Sequence, residues 1–228
     1  MDDAVAIVLA AGLGERMHAG VPKALMVFDG TTIVARSVER ALASASISNA
    51  IVVAPAGWED AVRALVEPIG AGAVVTGGAT RQASVIAALS ALGDDATRVV
   101  CHDAARPLAT SALFERAVDA LEGWDGVVPV LAMVDTVKRV RNGEIEGTEP
   151  REALAIAQTP QAFDASALRT AHERAALEGF EATDDALVLE RAGFRVRAIE
   201  GERTNMKITT PDDVRLAEAL ASPTGSRA

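Results

Sequence analysis

The 228-residue chain contains one cysteine, three histidines and three lysines. A single thiol, Cys101, excludes an internal disulfide framework and a cysteine-rich metal site, and it suits a reducing compartment. His18, His102 and His172 show no His-x-x-x-His spacing, so no zinc site is expected. Cys101 and His102 read as packed strand-end residues, His18 and His172 as surface residues. No apolar run approaches the about 18 residues that mark a transmembrane helix. No basic run is present, and 22 basic against 32 acidic side chains leave a net charge of −10, which argues against nucleic acid as a partner. The start, Met1-Asp2-Asp3, lacks the basic n-region of a signal peptide. Together these absences predict a soluble cytoplasmic protein without membrane contact.

What remains is ordinary globular material: half the residues are apolar and 24% are charged. One domain over residues 1–228 is expected, since neither a linker nor an internal repeat is visible. Residues 4–10 form a continuous apolar run that ends in Ala11-Gly12-Leu13-Gly14, the pattern of a buried strand entering a glycine loop. Strand patterns follow at 50–54, 73–76, 98–102 and 126–130. Helical spacing falls between them: Ile33, Val34, Val38, Ala41 and Leu42; then 58–66 and 80–92; then Leu113, Phe114, Ala117, Val118 and Leu121. Such alternation implies right-handed βαβ crossovers and a mostly parallel α/β sheet.

The alternation breaks at 133–158, where short strand-like pieces flank Asn142-Gly143, a strong hairpin signal. We read a protruding β-arm. A two-stranded arm is marginal alone in water, so it is expected to pack on a second copy of the chain. Helices return at 164–177, 183–192 and 212–221, with Phe194, Val196 and Ala198 alternating as a half-exposed strand. The polar tail 222–228 is expected to be disordered.

Three motifs stand at predicted strand ends. In Ala10-Ala11-Gly12-Leu13-Gly14-Glu15-Arg16-Met17, glycines let backbone N–H groups approach phosphate oxygens, while Arg16 and the later Lys23 add cationic donors. A P-loop would need Gly-Lys-Ser/Thr, and a dinucleotide fingerprint would need a small residue where Met17 stands. The loop therefore suits a nucleoside triphosphate. His102-Asp103-Ala104-Ala105-Arg106-Pro107 closes the fourth strand, where ligands of open α/β sheets bind. Asp103 is a candidate to hold Mg²⁺ beside phosphate oxygens, and Arg106 to hold an anionic substrate. Gly77-Gly78-Ala79-Thr80-Arg81-Gln82-Ala83-Ser84 opens a helix and is a candidate base pocket. Hydroxyls and cations recur in Asp135-Thr136-Val137-Lys138, at Arg151, in Thr159-Pro160-Gln161, in Thr183-Asp184 and in Asn205-Met206-Lys207-Ile208-Thr209, a set that suits a phosphorylated second substrate.

In this order, over about residues 4 to 220, the motifs closely resemble those of the 2-C-methyl-D-erythritol 4-phosphate cytidylyltransferases of the nonmevalonate isoprenoid pathway. The resemblance implies a Rossmann-like nucleotidyltransferase fold whose β-arm forms a homodimer, CTP as the nucleotide, and a divalent cation, normally Mg²⁺. It implies that Arg16 and Lys23 contact the triphosphate and stabilise the transition state. It places the nucleotide against Ala10, Ala11, Gly12, Leu13, Gly14, Gly77, Gly78, Arg81, Ser84 and Ala104, and the metal at Asp103. Asp103, Arg106, Thr136, Thr159, Thr183 and Lys207 then face the methylerythritol phosphate, and Arg151 matches an arm arginine that reaches the substrate of the other subunit. Ala79 replaces the acidic residue often found after the glycine pair, and Ala132-Met133-Val134 departs from the usual arm base. Relatives that use ribitol 5-phosphate share most of these motifs. A silent nucleotide-binding module is the reading from another class, against which the joint presence of Arg16, Lys23, Asp103 and Lys207 counts.

Overall fold

The computed structural model describes residues 3–12 and 20–221. Leu13, Gly14, Arg16, Met17, His18 and the tail 222–228 lie outside the described residues.

Strand β1 (Ala4–Leu9) is the sheet's spine, parallel to β4 (Ile47–Ala54) on one edge and to β6 (Arg98–Asp103) on the other. Successive side chains of a strand point to opposite faces, and this one is apolar on both. Ala4, Ala6, Val8 and Ala10 enter a core with α1 (Ile33–Leu42), α2 (Glu59–Val66) and α4 (Ser111–Asp119). Val5, Ile7 and Leu9 face the other core, built with α3 (Arg81–Ser90), α5 (Ala165–Glu178) and α6 (Asp185–Arg191). Each large apolar side chain fully buried this way contributes about 1.5–3 kcal/mol. The helices start where a short polar side chain takes up an orphan backbone N–H. Thr32, Thr80, Thr110, Asp164 and Asp184 each accept from the residue three places on.

The sheet is α/β and mostly parallel, as the alternation predicts, with β5 (Ala73–Thr76) parallel to β4 at one edge. Its other half is mixed. Strand β11 (Gln161–Asp164) lies antiparallel between β6 and β7 (Gly126–Ala132). Strand β10 (Ala155–Ala157) runs antiparallel to β7, and β12 (Val196–Glu200) parallel to it. The sequence reading had no strand at β11, which is only four residues long and carries no period of its own. It also missed the small hairpin of β2 (Val27–Phe28) with β3 (Thr31–Thr32). That hairpin supports a third apolar cluster, in which Phe28 and Ile33 meet Leu108, Ile208 and Ala217 of α7 (Pro211–Ala221).

The β-arm is present. Strand β8 (Val137–Arg141) pairs antiparallel with β9 (Glu144–Glu149), outside the main sheet. Asn142 and Gly143, at φ 52° and 84°, make the turn, whose two positive φ values are those of a type I′ hairpin. Val140 and Ile145 on this arm are 57% and 66% exposed.

One expectation is corrected. His172 is not a surface residue but is 2% exposed. It lies on the apolar face of α5 that Ala165, Leu168, Ala171 and Ala175 bury, and a polar partner inside the protein makes that position tolerable. Cys101 and His102 are fully buried, as expected.

Candidate functional site

Four parallel strands, β1, β4, β5 and β6, end on one side of the sheet, and the backbone there is tightly tied. Ala10 N–H donates to Val53 O at 2.9 Å, Ala104 N–H to Leu9 O at 3.0 Å and Gly77 N–H to Ala54 O at 2.8 Å. Ala10 and Ala104 are buried, Ala11 is half-buried, and Gly12 is exposed with open space where a Cβ would be. Gly77 and Gly78 have a steric reason. A Cβ on Gly77 would stand 2.3 Å from Ala11 Cβ, and one on Gly78 would stand 2.4 Å from Ala83 Cβ. The first lets the loops after β1 and β5 touch; the second lets the loop after β5 fold onto α3. Ser84 Oγ accepts from Gly78 N–H at 3.1 Å and donates to Thr80 O at 2.9 Å, so it sets this turn.

Asp103, at the end of β6, is the electrostatic centre. Lys207 Nζ donates to Asp103 Oδ2 at 2.6 Å and Arg81 Nε to Oδ1 at 3.4 Å. Burial would raise the Asp103 pKa, but Arg81 and Lys207 outweigh it and hold the carboxyl well below the usual range. The Asp103 backbone N–H donates to Thr159 Oγ1 at 3.0 Å. The same hydroxyl lies 3.2 Å from His102 Nδ1, and His102 Nε2 is buried without a hydrogen-bond partner. Burial pushes the His102 pKa down to about 4, so the ring is neutral at pH 7.

The loop 205–208 draws the cations together. Arg106 donates to Asn205 O at 2.8 Å, Lys207 to Asp103, and Lys23 Nζ to Ile208 O at 3.0 Å. Ile208 N–H closes the loop on Ala105 O at 2.8 Å. Arg106 has a further backbone acceptor in Ala157 O at 3.3 Å and no ion pair among the described residues. Its charge is held by neutral carbonyls, and burial lowers its pKa as a consequence. Such a guanidinium is available to an anion.

Thus Lys23, Arg81, Asp103, Arg106, Thr159 and Lys207, all named as candidates from the sequence, are linked by hydrogen bonds here, directly or through the loop 205–208. Thr136, Arg151 and Thr183 do not join this cluster by any hydrogen bond or ion pair. Thr136 and Thr183 are exposed, and Arg151 donates to Val134 O at 2.7 Å on the arm. Arg16, Leu13 and Gly14 lie outside the described residues. The sequence reading named Asn205 within a motif but not its supporting role, and it did not single out Gln158 or Glu202. Asn205 Nδ2 donates to Thr159 O at 2.9 Å, and Gln158 Nε2 to Asn205 O at 3.2 Å and Glu202 O at 2.9 Å. No local signal marks Gln158. Asp185, the second aspartate of the Thr183-Asp184-Asp185 motif, is 1% exposed beneath Arg81; a helix-opening Asp-Asp pair ordinarily reads as solvated.

Among the described residues no group of three or more His, Cys, Asp or Glu side chains is arranged to hold a metal. Asp103 alone, ionised and with lone pairs beyond those taken by Lys207 and Arg81, fits a magnesium ion shared with substrate phosphates, the usual way that ion is bound.

The chain matches the family model described as IspD: 2-C-methyl-D-erythritol 4-phosphate cytidylyltransferase over residues 4–222. It is 45% identical over 218 residues to the 2-C-methyl-D-erythritol 4-phosphate cytidylyltransferase of Rhodococcus jostii, covering 95% of this chain and 94% of that one. It is 44% identical to the bifunctional enzyme IspD/IspF of Clavibacter michiganensis, of which it spans about half, 54% of the length. Among solved structures it superposes on the Thermus thermophilus 2-C-methyl-D-erythritol 4-phosphate cytidylyltransferase with a TM-score of 0.81 at 36% identity, covering 97% of this chain and 99% of that one. Motif order, the cation cluster on Asp103 and full-length similarity agree: the chain belongs to the 2-C-methyl-D-erythritol 4-phosphate cytidylyltransferase family.

Proposed function

We infer that the protein transfers a cytidylyl group from CTP to 2-C-methyl-D-erythritol 4-phosphate and releases pyrophosphate, a step of isoprenoid precursor synthesis. The observation that carries this reading is the pairing of Arg81 and Lys207 with one ionised carboxylate, Asp103, where strands β1 and β6 end, beside Arg106 and Lys23 on the backbone of the adjoining loop 205–208.

Charge dictates the mechanism. A phosphate monoester has a second pKa near 6, so it is mostly a dianion at pH 7 and needs no general base to attack. Neutral, buried His102 is consistent with that, since it stands ready for no proton transfer. The difficulty lies in bringing a dianion in line with the α-phosphorus of an anionic triphosphate. Positioning and electrostatic stabilisation therefore dominate. The monoester oxygen forms the new bond to phosphorus as the bond to pyrophosphate breaks, and the leaving group carries off the electron pair. Lys23 and Arg16 offset the charge that builds toward it. Arg106, Lys207 and Thr159 hold the polyol phosphate, with Thr183, Thr136 and Arg151 completing its site. Gly77, Gly78, Arg81, Ser84 and Ala104 flank the nucleotide. When bound at Asp103, Mg²⁺ neutralises phosphate charge.

The arm supports a homodimer. Val140 and Ile145 on it, and Val134, Leu154 and Ile156 at its base, expose apolar surface that a second copy would cover. No helix among the described residues is long and apolar enough to cross a membrane, and with the single buried Cys101 this supports a place in the reducing cytoplasm.

The test is pyrophosphate release with CTP, Mg²⁺ and 2-C-methyl-D-erythritol 4-phosphate, beside parallel reactions with ribitol 5-phosphate or with ATP, GTP or UTP. Release confined to the first mixture is the expected result. Release with ribitol 5-phosphate instead moves the protein to polyol phosphate metabolism. No release from folded protein that binds CTP overturns catalysis.

A further inference from the structure

Beneath the site runs a line of buried charge that the transfer mechanism does not use. Arg81 Nη1 lies 2.8 Å from Asp185 Oδ2, while its Nε reaches Asp103 Oδ1 at 3.4 Å. His172 Nε2 lies 3.2 Å from Asp185 Oδ1. His172 Nδ1 is buried without a hydrogen-bond partner, so the ring N–H is committed to Asp185. Burial and the nearby Asp185 carboxylate push the Cys101 thiol pKa well up. Despite burial, Arg81 and His172 hold the Asp185 pKa below its ordinary value.

We propose that Asp185, backed by His172, is a positioning residue that holds the Arg81 guanidinium between two carboxylates and so keeps it from closing on Asp103 as a two-pronged fork. The argument is geometric. A guanidinium beside a lone carboxylate closes on it as a two-pronged fork. Here Nη1 is drawn 2.8 Å from Asp185, Nε lies 3.4 Å from Asp103 and Nη2 is buried without a hydrogen-bond partner, so the fork does not close on Asp103. Asp103 Oδ2 takes Lys207 at 2.6 Å. The four charges Arg81, Lys207, Asp103 and Asp185 sum to zero, and removing Asp185 leaves Arg81 free to swing onto Asp103. Packing gives no reason for this arrangement: a buried ion pair is seldom more stable than apolar side chains of the same volume. Gln82, the next residue on α3, works in the same direction. Its side chain donates to Phe180 O at 3.2 Å and accepts from Ala182 N–H at 3.1 Å, tying the start of α3 to the loop that leads into α6.

This inference rests on the cytidylyl-transfer reading, and the experiment separates the two. Asp185→Asn, which keeps the shape and loses the charge, is made alone and on an Arg81→Gln background, with pyrophosphate release followed against both substrates. Binding of CTP with Mg²⁺ is measured independently by calorimetry. A silent wild type sinks the transfer reading itself. With an active wild type, Asp185→Asn is expected to lower kcat/KM about tenfold or more and to weaken CTP binding in Mg²⁺ several-fold, with a far-ultraviolet spectrum like the wild type's. On the Arg81→Gln background the same change is expected to alter kcat/KM less than threefold, because the residue through which Asp185 acts is already gone. Wild-type kinetics and binding in folded Asp185→Asn overturn the proposal. So does an undiminished further loss on the Arg81→Gln background. If Asp185→Asn fails to fold, His172→Gln carries the same measurements, with a smaller loss of the same sign expected and unchanged kinetics counting against the proposal.

Discussion

Lys207 Nζ stands 2.6 Å from Asp103 Oδ2 across 104 residues of sequence. The pair closes the loop 205–208 over the end of β6, and the backbone of that loop then binds Arg106 and Lys23. One contact thus organises three cations, two of them among the chain's three lysines. Lys207 remains 43% exposed on its side chain, so its worth to folding is modest and its weight falls on the arrangement of the site.

Lys23→Ala and Arg16→Ala should each lower kcat by about 10²-fold or more, the usual cost of losing one electrostatic donor to the transition state. Steady-state kinetics on folded protein decide it. A near-normal kcat in Lys23→Ala would remove that residue from the transition state.

Gly77→Ala should raise the KM for CTP about tenfold, because the new Cβ would stand 2.3 Å from Ala11 Cβ and push the loops after β1 and β5 apart. Ala11→Gly should restore part of the loss in the double variant. Only part is expected, since Ala54 O and Ser84 Oγ would still lie 3.1 and 3.2 Å from the added atom. Absence of any rescue would mean the glycine serves something other than this approach.

His102 has a pKa of about 4 in the folded protein because it is buried, against an ordinary value of about 6.5. Below about pH 6.5 the unfolded chain takes up a proton that the folded one refuses. Stability should therefore be full above that pH and fall as pH drops toward 4, by on the order of 2–3 kcal/mol from this residue. Melting temperatures at pH 7.5 and 4.5 should converge in His102→Gln relative to wild type; an equal drop in both proteins would contradict the assignment.

Among the described residues, the Arg151 side chain is tied only to the arm. If it serves the other subunit's substrate, Arg151→Ala should raise the KM for the polyol phosphate more than that for CTP. Equal changes would argue against it.

Val140→Asp with Ile145→Asp should shift the mass measured by light scattering from dimer to monomer, since both side chains are more than half exposed in the isolated chain. An unchanged dimer would place the interface elsewhere.

Much of the fold was legible because its signals are local. The run Ala4–Leu9 is apolar at every position, which marks a strand buried on both faces. Asn142-Gly143 fixed the arm's turn through the positive φ values that those residues tolerate. His102-Asp103-Ala104-Ala105-Arg106-Pro107 and the Asn205-Met206-Lys207-Ile208-Thr209 stretch pointed to the site by residue type and order. One local signal was misread. Leu168, His172 and Ala175 follow helical spacing, which puts His172 on the buried face of α5.

The amino-acid sequence by itself determined the parallel half of the sheet, the arm, the helices and the order of cationic and hydroxyl residue types at strand ends, because periodicity and turn chemistry act over a few residues. Only the tertiary structure decided that β11 inserts antiparallel between β6 and β7, that Asp103 finds Lys207 and Arg81, and that Asp185 and His172 lie under the site. Those are pairings across tens to a hundred residues. They follow from which surfaces the folded layers bring face to face and from the need of each buried charge for a partner, and no local pattern encodes either.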